Sequence, residues 1–89
     1  MKGKTQSGFN VTVDEKRMED IRFFELISEA DENPFALPKL VTYVLGAEQK
    51  EKLYKHLEKD GVVAVTDVIQ EMTSIFHLVE EKSQKAKNS

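Results

Sequence analysis

ADENPFALPKLVTYVLGAEQKEKLYKHLEKDG, residues 30–61, holds both prolines of the chain, two glycines placed as helix stops, and a short, almost wholly apolar segment. Residues before proline avoid the α region, so Asn33 ends whatever helix precedes it and Pro34 opens a new turn. Pro38 follows four residues later. A proline inside a helix costs about 3 kcal/mol. Residues 34–37 therefore read as a tight turn and Pro38 as the first residue of a helix that runs to Leu45, with Gly46 as its left-handed stop. Leu40, Val41, Tyr43, Val44 and Leu45 leave that helix only Lys39 and Thr42 as polar residues. So short a helix does not stand alone. It is either buried or partly exposed as an adhesive surface. A second helix, 47–59, follows the glycine, with Leu53, Tyr54 and Leu57 as a narrow inner face. Glu48 with Lys52 and Glu51 with Lys55 are i,i+4 pairs in the favourable order. Asp60-Gly61 ends it.

Working outward, Asp14 caps a helix expected to run to about Ala30. Its apolar residues, Met18, Ile21, Phe23, Phe24, Leu26, Ile27 and Ala30, cover a wider arc than a single-faced helix needs. Upstream, GFNVTV (8–13) alternates Phe9, Val11 and Val13 against Asn10 and Thr12, the period of a short strand. No second strand is evident, so the segment either lies extended on the helices or pairs with another copy. Downstream, Val62–Val65 is a β-branched run and Thr66 a cap for the last helix. There Val68, Ile69, Met72, Ile75, Phe76 and Val79 make the cleanest helical stripe of the chain, read as a core face. The expected fold is all-α: a small bundle of four helices, about 14–30, 38–45, 47–59 and 66–82, with a short extended N-terminal segment. Residues 1–7 are expected as a flexible tail, 8–82 as one helical domain and 83–89 as a second flexible tail.

Eighty-nine residues make one domain at most. A chain of this size buries only about 60–65% of its unfolded surface, for a stability on the order of 5–8 kcal/mol. There is no cysteine, hence no disulfide and no thiolate. MKGKTQSGF has lysines but no apolar stretch behind them, so no signal peptide is expected, and no apolar run approaches the roughly 18 residues of a membrane span. The net charge of −3 argues mildly against nucleic acid. Charge is uneven: eight acids against three bases leave residues 14–32 at −5, whereas 38–61 carry five bases and four acids.

Nothing in the residue pattern dictates a reaction. His56 and His77 are the only imidazoles, and neither has a second histidine at i+4, so no metal is expected. There is no G-x-S-x-G, no G-x-G-x-x-G and no phosphate-binding loop. DENP lacks the alternating ligands of a calcium loop. The chain reads as a non-enzyme without cofactor. The pair 38–45 and 47–59 has the outline of a helix-turn-helix, with Lys50, Lys52, Lys55 and Lys59 as phosphate contacts. Against this stand Glu48, Glu51 and Glu58 on the reading helix and the absence of arginine after Arg22.

The block 30–61, the V-x-V-T-D-V-I entry to the last helix and the Lys-Asn-Ser ending together resemble the small tail assembly chaperones of long-tailed phages and prophages of Gram-positive bacteria. The resemblance spans roughly residues 7–89 and is sharpest at EADENPFALPKL (29–40), at the Leu45-Gly46-x-Glu48-Gln49 turn and at the ending. It implies a helical protein of the host cytoplasm, absent from the mature virion, that binds the tape measure protein and keeps it soluble while tube subunits polymerise. Tail tube protein and self-association are further partners to consider; the family carries no catalytic residues to transfer. The partner surface is expected at Phe35, Leu37, Leu40, Val41, Tyr43 and Val44, which hold more apolar side chains than a short helix buries on one face. The resemblance also implies a longer form made by −1 frameshifting, for which Lys87-Asn88 permits a slippery A-AAA-AAC. A small helix-turn-helix regulator of a mobile element and a helical protein–protein adaptor are the alternative readings.

Overall fold

A computed structural model describes residues 1–88, with side chains through Glu81. The chain is mostly helical. Two short strands, β1 (Lys2–Lys4) and β2 (Asn10–Thr12), are followed by a 3-10 turn at Glu15–Glu19 and by α1 (Ile21–Glu32). A second 3-10 turn at Pro34–Ala36 leads into α2 (Leu37–Leu57), and α3 (Val65–Asn88) closes the chain.

The N-terminal segment departs from expectation. Residues 2–4, read as part of a flexible tail, pair antiparallel with β2 in the register Lys2↔Thr12, Gly3↔Val11, Lys4↔Asn10. The partner of the GFNVTV strand is thus in its own chain. The hairpin turn closes with Gly8 donating to the Thr5 carbonyl and Thr5 to the Phe9 carbonyl. Phe9, Val11 and Val13 all face the helices and are buried. The outer edge of β2 is covered by Gln49, whose carboxamide accepts from the Thr12 N–H and donates to its carbonyl, both at 2.8 Å. A side-chain amide standing in for a peptide unit occupies the edge at that residue.

The helix expected from Asp14 is interrupted. Asp14 caps only the 3-10 turn, and Asp20, in extended conformation, caps α1 by accepting from the Arg22 N–H at 2.9 Å. A second aspartate offering the backbone a local acceptor resets the helix start. The 3-10 turn is docked on α2: Arg17 donates to the Tyr43 carbonyl and the Tyr43 hydroxyl donates to the Arg17 carbonyl. Asn33 ends α1 and accepts from the Phe35 N–H, and Pro38 falls in the first turn of α2.

Three helical elements stand among the described residues, and the second of them is kinked. The expected segments 38–45 and 47–59 correspond to the two helical halves of α2, which ends at Leu57 and is interrupted at Gly46, where φ is 81° and ψ 162°. That backbone region belongs essentially to glycine alone. The break frees the Leu45 carbonyl, and the Gln49 side chain donates to it at 2.8 Å. A methyl group on Gly46 would meet nothing within 4 Å, so substitution costs backbone strain only. Gly46→Ala is expected to lower stability by about 1–3 kcal/mol, read from the urea midpoint. A loss within 0.3 kcal/mol, about the precision at which such effects are resolved, would show that the break is not imposed by this residue.

α2 ends at Leu57. Lys59 and Val62 then exchange backbone hydrogen bonds of 2.8 and 3.0 Å around Asp60-Gly61, both left-handed, as in a tight hairpin turn. α3 begins at Val65, so Thr66, expected as its cap, lies in the first turn. Its backbone is helical past the expected end at 82 and through Asn88, because the polar residues there are good helix formers. Of the tail expected at 83–89, the side chains and Ser89 lie outside the described residues.

The core is one cluster. Leu40, Val41, Val44, Leu45, Leu53 and Leu57 from α2 meet Val68, Met72 and Ile75 from α3, roofed by Phe9, Val11 and Val13 of the hairpin and by Met18 and Phe23. Phe23 meets Phe76 edge-on at 5.4 Å. Within the α3 stripe, Phe76 and Val79 are half-buried and Ile69 is exposed.

Candidate partner-binding surface

The six residues expected to form one surface divide by helical position. Leu40, Val41 and Val44 are buried, Val41 completely. Spaced at i, i+1 and i+4, they share the face of α2 turned toward α3 and the hairpin. They are core, and the expectation that they contact a partner is corrected. Tyr43 is half-buried, with its hydroxyl bonded to Arg17 and its ring beside Phe23. Leu37 is half-buried, and Phe35 is 90% exposed.

Phe35 does not stand alone. With Pro34, Leu37 and Pro38 it lines an open groove whose other side is formed by Tyr54 of α2 and by Val63, Val65 and Val68. Val68 is buried, Leu37, Tyr54 and Val63 are half-buried, and Phe35 and Val65 are exposed. Burial pushes the Tyr54 phenol above its ordinary pKa, so it brings no charge to the groove near neutral pH. Sequence reading placed Tyr54 and Val68 on inner faces and missed that the chain brings them beside Phe35. The isolated β-branched run 62–65 was the available signal. Ile21 and Phe24, on the first turn of α1, are also exposed.

A second cluster resembles catalytic machinery at first sight. The Ser7 hydroxyl oxygen lies 3.1 Å from His56 Nε2 and 2.7 Å from both oxygens of Glu71. Serine has one proton to donate, and a carboxylate at that distance takes it. His56 Nε2, also 3.1 Å from the Ser7 carbonyl oxygen, then serves as donor. A histidine holding its proton toward the serine is no base for it, and the carboxylate orients the serine rather than the imidazole. Thr5 donates to Glu71 as well, at 3.2 Å, and the Gln6 N–H donates to Ser74. The cluster therefore clamps the hairpin turn to α2 and α3.

The two halves of α2 are joined by Gly46 alone, whereas a helix-turn-helix uses a turn of about three or four residues. No helix among the described residues is long and apolar enough to cross a membrane. Comparison with family models, with curated proteins and with solved structures finds no match.

Proposed function

We propose that this protein is a phage tail assembly chaperone that binds the tape measure protein and keeps it soluble during tube assembly. The observation that carries the reading is Phe35. It sits inside the stretch EADENPFALPKL, where the resemblance to such chaperones is sharpest, and is 90% exposed beside an apolar groove. A lone exposed apolar residue needs no explanation, but an aromatic ring beside a concave apolar surface is the arrangement of a protein contact. A tape measure is long and helical, and its apolar stripes are uncovered until tube subunits enclose them. A chaperone for it needs apolar surface that grips modestly and releases, which an open groove offers better than a closed pocket. In this reading the halves of α2 on either side of Gly46 work as separate helices, giving the domain four helical segments. The protein acts in the host cytoplasm and leaves before the virion is complete, and a −1 frameshift at Lys87-Asn88 adds a longer form.

Co-expression with a tape measure fragment tests the proposal. The fragment is expected to move from the insoluble to the soluble fraction when the chaperone is present. Phe35→Ala, a change at an exposed site, should reduce that rescue without altering the chaperone's own melting curve. A fragment that stays insoluble with the unmodified protein contradicts the proposal.

A further inference from the structure

The two halves of α2 carry their buried apolar residues on different sides of the helix. In a straight helix, Leu40, Val41, Val44 and Leu45 would form one stripe and Leu53 and Leu57 a second, about 170° away at 3.6 residues per turn. The break at Gly46 re-aims the second half, so that all six side chains enter one core. Two dihedral angles of a single residue therefore separate the observed shape from an unbroken helix. Nothing lies within 4 Å of where a Gly46 Cβ would stand, so no neighbour locks those angles. Straightening also restores a backbone bond. The Leu45 carbonyl, which the Gln49 side chain meets at 2.8 Å, would instead accept from the Gln49 N–H four residues on, the ordinary bond of an α-helix.

We propose that α2 has this second, straight form and that a second copy of the chain completes it. Two copies exchange halves across Gly46, residues 1–45 of each packing on 47–88 of the other. A straight α2 draws the halves of one chain apart and uncovers the core between them. The surface that fits each uncovered half is the other half, and a second copy supplies it. Phe9, Val11 and Met18 share one cluster with Leu53, Met72 and Ile75, and Phe23 stands edge-on to Phe76. Thr12 is bonded to Gln49, and Ser7 to Glu71. Each of these contacts joins a residue before Gly46 to one after it, so exchange keeps them all and makes them between copies. Exchange of identical elements through a short hinge is a low-cost route to a dimer. The closed monomer wins when dilute, because only the dimer loses freedom on association. Passage between the forms requires the core to open, so it is slow. The inference goes beyond the chaperone reading and does not depend on it.

The test is light scattering on the full chain after refolding from urea, at about 10 µM and at about 1 mM. Dilute refolding is expected to give monomer, and concentrated refolding a dimer that persists for hours on dilution. Gly46→Ala should tighten that dimer by about a thousandfold or more. Alanine is strained at the observed φ of 81° and favoured over glycine in a helix, and a dimer contains the hinge twice. Inserting Gly-Ser-Gly after Gly46 lengthens the link and should leave only monomer. In a dimer refolded from a mixture of isotope-labelled and unlabelled chains, isotope-filtered nuclear Overhauser effects should connect the Phe23 ring of one copy to the Phe76 ring of the other. Monomer at both concentrations, for the unmodified chain and for Gly46→Ala, would overturn the proposal. So would a dimer without that contact between copies, which is an ordinary surface dimer, or an insertion variant that dimerises as well as the unmodified chain. A Gly46→Ala chain that stays unfolded at the higher concentration would also contradict it, because exchange should restore its fold.

Discussion

Val41→Asp is expected to abolish folding. Val41 is fully buried within the apolar core cluster. An unpaired carboxylate at such a site costs about 3–5 kcal/mol, and lost apolar burial adds about 1.5–3 kcal/mol. The sum reaches the whole stability of about 5–8 kcal/mol available to a domain this small. Circular dichroism should show lost helicity and no cooperative melt. Val44→Asp should behave alike, whereas Phe35→Asp should fold normally. A folded Val41→Asp protein would mean that this face of α2 is not core and that the division of the six residues is wrong.

The second large effect is expected at Glu71. Its side chain is almost wholly buried, with the residue 3% exposed, and it accepts from Ser7 and Thr5, which approach from the hairpin. Hydrogen bonds to a charged group contribute about 1.5–3 kcal/mol each, and a buried donor left without an acceptor costs about as much. Glu71→Ala should therefore lose about 3 kcal/mol, and Glu71→Gln, which keeps one carbonyl acceptor, a smaller amount. The effect should be local as well as global. The amides of Thr5, Gly8 and Phe9 should lose protection from hydrogen exchange before those of α3. A loss below about 0.5 kcal/mol, the scale of ordinary surface substitutions, would show that the hairpin holds by its apolar residues alone.

How far the sequence foretold these features depends on what each one rests on. The stop at Asn33-Pro34, the break at Gly46 and the turn at Asp60-Gly61 are local chemistry, in which one or two residues restrict the backbone, and all were readable. The start of α1 was not, because both Asp14 and Asp20 are good caps and only the docking of Arg17 on Tyr43 shows why the chain turns between them. β1 was invisible for a sharper reason. Lys-Gly-Lys offers no apolar alternation, since its one inward residue is Gly3. A Cβ there would come within 3.2 Å of Leu78 Cδ1, so the strand lies close on α3 through the absence of a side chain. The count of elements was less legible than the break itself, because a glycine that stops one helix can also be the whole link to the next.

The candidate surface was legible only in part, for a related reason. An apolar segment shows that something must be covered, but not by what. Leu40, Val41 and Val44 are covered by the chain's own α3 and hairpin, while Phe35 is left out because Pro34 begins the turn that carries it away from the axis of α2. The groove wall from residues 63–68 arrives from a distant part of the chain, which a local pattern does not reveal. The Ser7–His56–Glu71 cluster is equally non-local: three unremarkable polar residues become a clamp only when the hairpin folds back onto two helices.

The central claim, that this protein binds a tape measure, is tested most directly by light scattering on the co-purified pair. A tape measure fragment expressed with the full chain should elute with it as one soluble species of defined mass, and Phe35→Ala should shift mass out of that peak. A fragment that elutes as aggregate while the chain runs separately at its own mass would contradict the account.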